Sequence, residues 1–261
     1  MIDNLVACLK KRIFRKNLNG SGCSGISTEN IKKIMGKDGK YEVGFLNPEL
    51  KILPMIKAVL FDLDQTLIDL VKMKTEACKS AIKAMIKVGL KINEKAGYKR
   101  LMHTYFRVGI DSNIAFTKFL EEETGKADER ILQAGIDAYL KTKPSFLKPF
   151  PHVLETLEYL KSLNLKLGII TDAPKAKAVQ RLEGMNIIHF FDLIITLDDT
   201  GELKPSEKPF KLAMERLKLC PEEILFIGDS YTRDIKGAGR LGMETLQIRR
   251  YEDLKRIKEF V

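Results

Sequence analysis

The chain has 261 residues, 44% hydrophobic and 31% charged, a balance that excludes fibrous and low-complexity classes and leaves ample material for a core. No apolar run approaches the ~20 residues of a membrane-spanning helix, and the stretch 5–9 is too short for a signal peptide and is soon followed by Lys10, Lys11 and Arg12. Of the net charge of +10, half comes from residues 1–54, which carry ten Lys/Arg against five Asp/Glu.

In chain order, residues 1–18 pattern as an amphipathic basic helix on Leu5, Val6, Leu9 and Ile13, and residues 19–25, rich in Gly and Ser, as a flexible linker. Residues 27–36 then fit a short capped helix and 40–45 a strand. This arm carries no catalytic pattern. It reads as a flexible extension or as an anchor for a membrane surface or a nucleic acid, and Met55 is a candidate natural start. With it, a scaffold that holds an anionic partner through the arm stands as the non-enzyme alternative. Cys8, Cys23, Cys78 and Cys220 lack C-x-x-C spacing, which points to reduced thiols in a cytoplasmic setting rather than to a metal or disulfide framework.

Val59 to Leu63 reads as a buried strand that runs into Asp62, Asp64 and Thr66. Open α/β sheets place ligands beyond the carboxyl ends of their strands, and residues two apart in an extended segment share a face. Asp62 and Asp64 would therefore repel unless a cation or a proton intervenes. Mg²⁺, a hard ion held by carboxylates, waters and substrate phosphate, suits that place. An ionised Asp62 is a competent nucleophile toward phosphorus, and Asp64 is positioned to act as acid and then base. Taken alone, the same residues also fit a strand ending in a solvated acidic turn.

About 80 residues separate this strand from Pro149, too many for a simple crossover. Apolar residues at Ala77/Cys78, Ala81/Ile82, Met85/Ile86, Phe116, Phe119/Leu120, Ile131/Leu132, Ile136 and Tyr139/Leu140 recur at helical spacing, which predicts a helical bundle over 69–149. Its hinges fall near Ile68-Asp69 and Lys148-Pro149, and His103, Tyr105 and Arg107 are its candidate polar contacts. His152 and His189 read as structural.

Leu165 to Asp172 is the second strand, and Ala173-Pro174 opens a helix with proline at the first helical position. Thr171, Asp172 and the free amides there form a candidate phosphate cradle. Phe191 to Thr196 is the third strand, followed by a loop whose Lys204 reaches back to neutralise phosphate. Ile224 to Asp229 is the fourth. Asp229 completes a metal set with Asp62 and Asp64, while Thr66, Ser230 and Asp234 stand behind the reacting groups, Asp234 orienting Lys204 or a metal-bound water.

These pieces, Asp62/Asp64/Thr66, Thr171, Lys204-Pro205 and Asp229-Ser230 with Asp234, resemble in order the four motifs of the haloacid dehalogenase (HAD) superfamily, subfamily I. The resemblance runs from about Met55 to Arg249 and takes in the stretches 190–192, 204–210 and 239–243. It implies an α/β fold with a Rossmann-like parallel sheet core, 55–68 and 150–261, and an inserted α-helical cap, 69–149. It also implies a Mg²⁺-dependent phosphoric monoester hydrolase. In that family the first Asp is the nucleophile; the second is the acid/base and gives its carbonyl to the metal, and the later Asp is a ligand. Those roles fall on Asp62, Asp64 and Asp229, and phosphate binding on Thr171 and Lys204. Gln65 stands where a glycine is common and Arg233 where an asparagine often precedes the final acid. Asp64 argues against the dehalogenase branch, which generally lacks it; a phosphomutase uses the same residues. The connecting stretches are most similar to archaeal-type phosphatases of glyceraldehyde 3-phosphate, with phosphoglycolate phosphatases as broader relatives. The implied partner is a small phosphorylated metabolite, with no nucleic acid expected.

Overall fold

The computed structural model describes residues 55–261; the expectations for the basic arm lie outside the described residues. Five parallel strands form one sheet in the order β3-β2-β1-β4-β5, namely β1 Ala58–Phe61, β2 Lys166–Ile170, β3 Leu193–Ile195, β4 Ile224–Gly228 and β5 Glu244–Gln247. The central β1 pairs Phe61 with Ile169 on one side and with Ile227 on the other.

Uninterrupted apolar runs suit strands covered on both faces. Alternate side chains enter two different cores: Val59, Phe61, Leu167, Ile169, Leu225 and Ile227 one, Ala58, Leu60, Ile170, Ile224 and Phe226 the other. On the first face lie the helices α5 Val153–Ser162 and α6 Lys175–Gly184 and the carboxyl-terminal 3₁₀ segment Tyr251–Glu259, through Leu157, Leu182 and Leu254. A one-turn helix, α7 Leu197–Thr200, follows β3. On the second face lie α8 Glu207–Leu217 and α9 Lys236–Arg240, through Phe210, Ala213 and Ala238.

Among the described residues four α-helices and a 3₁₀ turn, Lys143–Phe146, precede α5, the helices being α1 Leu70–Lys87, α2 Glu94–Val108, α3 Ala115–Thr124 and α4 Glu129–Thr142. Three start on a side chain that satisfies free amides: Asp69 accepts from Lys72 N at 2.8 Å, Asn93 from Lys95 N at 3.0 Å and Asp128 from Ile131 N at 3.1 Å. Ala77, Ala81, Ile82, Met85, Phe119 and Leu120 build a core of their own. α4 crosses α1 closely enough that a Cβ on Gly135 would stand 2.0 Å from Met85 Cε. The segments that enter and leave this helical insertion run side by side, with Ile68 bridged to Pro149 and Phe150 N donating to Leu67 O at 2.8 Å.

β1, β2 and β3 are shorter than the stretches read for them in the sequence, and β5, with Leu246 its one apolar residue, has no apolar run to announce it. β1 stops at Phe61 rather than Leu63, because the chain turns at once: Leu67 N donates to Leu63 O at 2.9 Å and Gln65 N to Ile68 O at 2.8 Å. Pro174 caps α6 instead of opening it. Among the described residues no helix is long and apolar enough to cross a membrane.

Candidate active site

The carboxyl edges of β1, β2 and β4 meet in one buried charge cluster. Asp62 N donates to Ile227 O at 2.8 Å, which extends the sheet by one residue and fixes the Asp62 carboxylate above it. Lys204 arrives from the loop after β3, its backbone N donating to Asp172 Oδ1 at 2.8 Å and its peptide bond to Pro205 cis. Its Nζ donates to Asp62 Oδ1 at 2.6 Å, to Asp234 Oδ1 at 2.7 Å and to Ile170 O at 3.0 Å. Thr66 Oγ1 donates to the other Asp62 oxygen at 3.1 Å. Both Asp62 oxygens are thus held by donors, which fixes the orientation of the carboxylate.

Asp234 is fully buried and accepts from Ser230 N at 2.9 Å through its second oxygen. It fits because residue 228 is glycine; a Cβ there would lie 2.5 Å from Asp234 Cβ. Ser230 in turn caps the π-helical turn Tyr231–Ile235, its hydroxyl accepting from Arg233 N at 3.3 Å. Burial pushes the Asp234 carboxyl up to about 6 against the pull of Lys204. For Lys204, burial works against the charge, but Asp62 and Asp234 outweigh it and raise the ammonium above its usual range.

Carboxylate oxygens of Asp62, Asp229 and Asp234 lie within 4.8 Å of one another, and Asp229 Oδ1 is buried without a hydrogen-bond partner. Burial, followed by the Asp62 charge, raises the Asp229 carboxyl. An acid left unpaired among acids suits a hard cation. The cluster differs from the set read in the sequence, since it holds Asp234 in place of the Asp64 side chain. Asp64 points elsewhere: Arg181 Nη1 donates to its Oδ2 at 2.6 Å while Arg181 Nη2 bonds Asp111 of the α2–α3 loop. Burial first, then the Asp62 and Asp111 charges, lift the Asp64 carboxyl to about 7, with Arg181 pulling down.

Thr171 is buried and its Oγ1 accepts from Ala173 N at 3.2 Å, so the hydroxyl keeps its own proton to donate. The Asp172 side-chain oxygens accept from Lys204 N and, at 3.3 Å, from Arg233 Nη1. The helix terminus is not wholly free, because Asp198 Oδ2 accepts from Lys175 N at 2.7 Å. Gln65 adopts the left-handed turn at φ 63° despite its side chain, whose Oε1 accepts from Val71 N at 3.1 Å.

Of the three polar residues singled out in the insertion, only Tyr105 is buried and faces a cavity. His103 is exposed and Arg107 bonds Glu122 at the surface. The residues missed are Arg181, Asp111, Lys74 and Lys143. Arg181 and Lys74 carried a signal: each falls inside an apolar helical stripe, Arg181 beside Ala178 and Leu182, Lys74 between Met73 and Ala77.

The haloacid dehalogenase-like hydrolase model matches residues 59–248. The glyceraldehyde 3-phosphate phosphatase of Methanopyrus kandleri is 37% identical over 205 residues, which cover 77% of this chain and 88% of that protein. The protein of the same name from Methanocaldococcus jannaschii is 36% identical over 203 residues, 77% and 89% of the two chains. A solved HAD phosphatase from Thermococcus onnurineus superposes with a TM-score of 0.60 at 26% identity, covering 78% of this chain and 97% of that one. The chain belongs to the haloacid dehalogenase-like hydrolase family and is an enzyme of its phosphatase branch.

Proposed function

We propose that the chain hydrolyses a small phosphomonoester in two steps through an aspartyl-phosphate on Asp62. The observation that carries this reading is the Lys204 ammonium bonded at once to Asp62 and Asp234 in a buried setting, with both Asp62 oxygens held by donors. In the first step an Asp62 oxygen bonds phosphorus as the ester oxygen leaves, and Asp64, a carboxyl titrating near 7, gives that oxygen its proton. In the second, Asp64 takes a proton from the water that attacks phosphorus, and the Asp62 carboxylate is restored with release of inorganic phosphate. Thr171 donates to a phosphate oxygen and Lys204 offsets the charge shared by phosphate and nucleophile.

Asp62 and Asp229, with the Asp64 carbonyl, would hold Mg²⁺, and Asp234 would steady the set from behind through Lys204. When bound, the ion would polarise the phosphoryl group and screen the acids from each other. The helical insertion, residues 69–149, acts as a lid that keeps bulk water from the intermediate and reads the alcohol half of the substrate. Glyceraldehyde 3-phosphate, named for both relatives above, is the candidate substrate that similarity alone suggests. A cytoplasmic setting suits Cys78 and Cys220, which are both unpaired.

Phosphate release from glyceraldehyde 3-phosphate, 2-phosphoglycolate and a sugar phosphate, with and without Mg²⁺, tests the class. With p-nitrophenyl phosphate, whose leaving group needs no proton, Asp64→Asn should leave phosphate bound to the protein, detectable by mass spectrometry and absent from the Asp62→Asn variant. Labelling of Asp62→Asn, or turnover by it at the normal rate, would reject the covalent route. Metal titration of Asp229→Ala should require far more Mg²⁺ than the parent chain; an unchanged titration removes Asp229 from the ligand set.

A further inference from the structure

A cavity of about 250 Å³ opens between the helical insertion and the sheet domain's α6, and Arg181, one of its lining residues, reaches the Asp64 carboxylate. Four cations line it, Lys74, Lys143, Lys177 and Arg181, against the single acid Asp111. Asp111 is already bonded to Arg181, and Arg181 also holds Asp64. Three ammonium groups are left over: Lys177 is partly exposed and donates to Asn113 Oδ1 at 3.0 Å, while the other two are buried, Lys74 at 5% exposure and Lys143 at 7%.

Neither has a carboxylate partner among the described residues. Lys74 Nζ donates to Tyr139 Oη at 3.0 Å and lies 3.9 Å from the centre of the Tyr105 ring; Lys143 Nζ bonds the neutral Gln180 Oε1. Arg181 Nε is buried with no hydrogen-bond partner at all. Burying an ammonium group without a counter-charge is among the most costly choices a fold makes, and here it occurs twice around one void. Burial first, with the neighbouring cations adding to it, pulls both lysines down to about 8. A charge deficit of this kind is relieved by an anion brought in from outside. At about 250 Å³ the void falls below the usual ~300–1,000 Å³ of pockets for drug-sized ligands, so it suits a tail of few heavy atoms.

We propose that this cavity binds a second anionic group carried on the alcohol half of the substrate, gripped by Lys74 and Lys143, so that the enzyme prefers phosphoesters of small acids over those of neutral alcohols or aldehydes. The inference rests on the phosphatase reading of the Asp62 cluster and adds the chemical class of the substrate. Tyr139 and Gln180 are positioning residues, holding the two ammonium groups in place.

The test is steady-state phosphate release by the full chain on a matched pair, 3-phosphoglycerate and glyceraldehyde 3-phosphate, which differ in carboxylate against aldehyde. Propane-1,3-diol bisphosphate forms a third arm that separates a second phosphate from a carboxylate as the preferred anion. The parent chain should favour at least one anion-tailed ester over the aldehyde by roughly ten-fold or more in kcat/KM. Lys74→Met and Lys143→Met should each reduce that preference by about ten- to a hundred-fold, chiefly through KM, as expected when one charge-assisted contact is lost. Lys74→Met should also unfold at a higher denaturant midpoint, which separates lost binding from lost folding. A parent chain that shows no preference, or variants that lower both substrates in equal proportion, would overturn the subsite while leaving the phosphatase standing. No release from any ester would instead count against the Asp62 chemistry itself.

Discussion

Lys204 and Lys74 are both buried, at 3% and 5% exposure, yet their surroundings push their ammonium groups in opposite directions. Lys204 is bonded to Asp62 and Asp234, and the two acids raise it; Lys74 meets a phenol and an aromatic face, and burial lowers it to about 8. The first cation belongs to a closed set of charges, complete before any substrate arrives. The second stands in an open set. Burial by itself therefore does not fix what a lysine is for; the charge of its nearest oxygens does.

The largest expected effect tests the closed set at its nucleophile. Asp62→Asn preserves shape but removes the anion, and phosphate release should fall by at least about a thousand-fold. Next comes the contrast between the two lysines in stability. Lys204→Met leaves Asp62 and Asp234 buried together without a cation and should cost about 3–5 kcal/mol in denaturant unfolding. Lys74→Met should instead stabilise by on the order of 1–3 kcal/mol. If both variants lose stability equally, the distinction drawn between the two sites is wrong.

The gain from Lys74→Met has a pH signature. The folded group titrates near 8 and its reference value is 10.5, so between those values the unfolded chain holds a proton that the folded one has released. Stability of the parent chain then rises with pH across that window, and the advantage of Lys74→Met should shrink over it. Unfolding midpoints of the two proteins from pH 7 to 10 measure this directly; a constant gap would contradict it.

A smaller shift is expected from Arg181. With Asp64 as proton donor, kcat/KM for an alkyl phosphate should fall as pH rises through about 7, because the ionised carboxylate has nothing to donate. p-Nitrophenyl phosphate, whose leaving group needs no proton, should lack that limb. Arg181 pulls the Asp64 carboxyl down, so Arg181→Met should move the limb to higher pH; a move to lower pH would show that another group is titrating.

The sheet and its edge were legible because parallel strands buried on both faces are written as unbroken apolar runs, and an acid at the end of each run has one place to go. Asp62, Thr171, Lys204, Asp229 and Asp234 could be put in the same neighbourhood on that ground. The orientation of Asp64 could not, since its partner Arg181 lies 117 residues away on α6. Nor could the turn at Gln65 be read from residue type, which favours glycine there; a hydrogen bond to Val71 N offsets part of the strain. Lys74 and Arg181 interrupt apolar stripes, and a polar residue on a helix's buried face is a signal as definite as an apolar residue on its exposed one. His103 and Arg107 drew attention by residue type alone, and their helix turns them outward.

The paired strap formed by Leu67-Ile68 and Pro149-Phe150 has a mechanical consequence. Two ribbons stitched side by side flex readily across their shared width but resist twisting about their length. A rotation of the helical insertion relative to the sheet would have to turn on this strap, since Ile68 and Pro149 are joined there. Snipping the stitch, for example by a proline at position 150 that removes the amide bonded to Leu67, would free the rotation while leaving every reacting group where it stands.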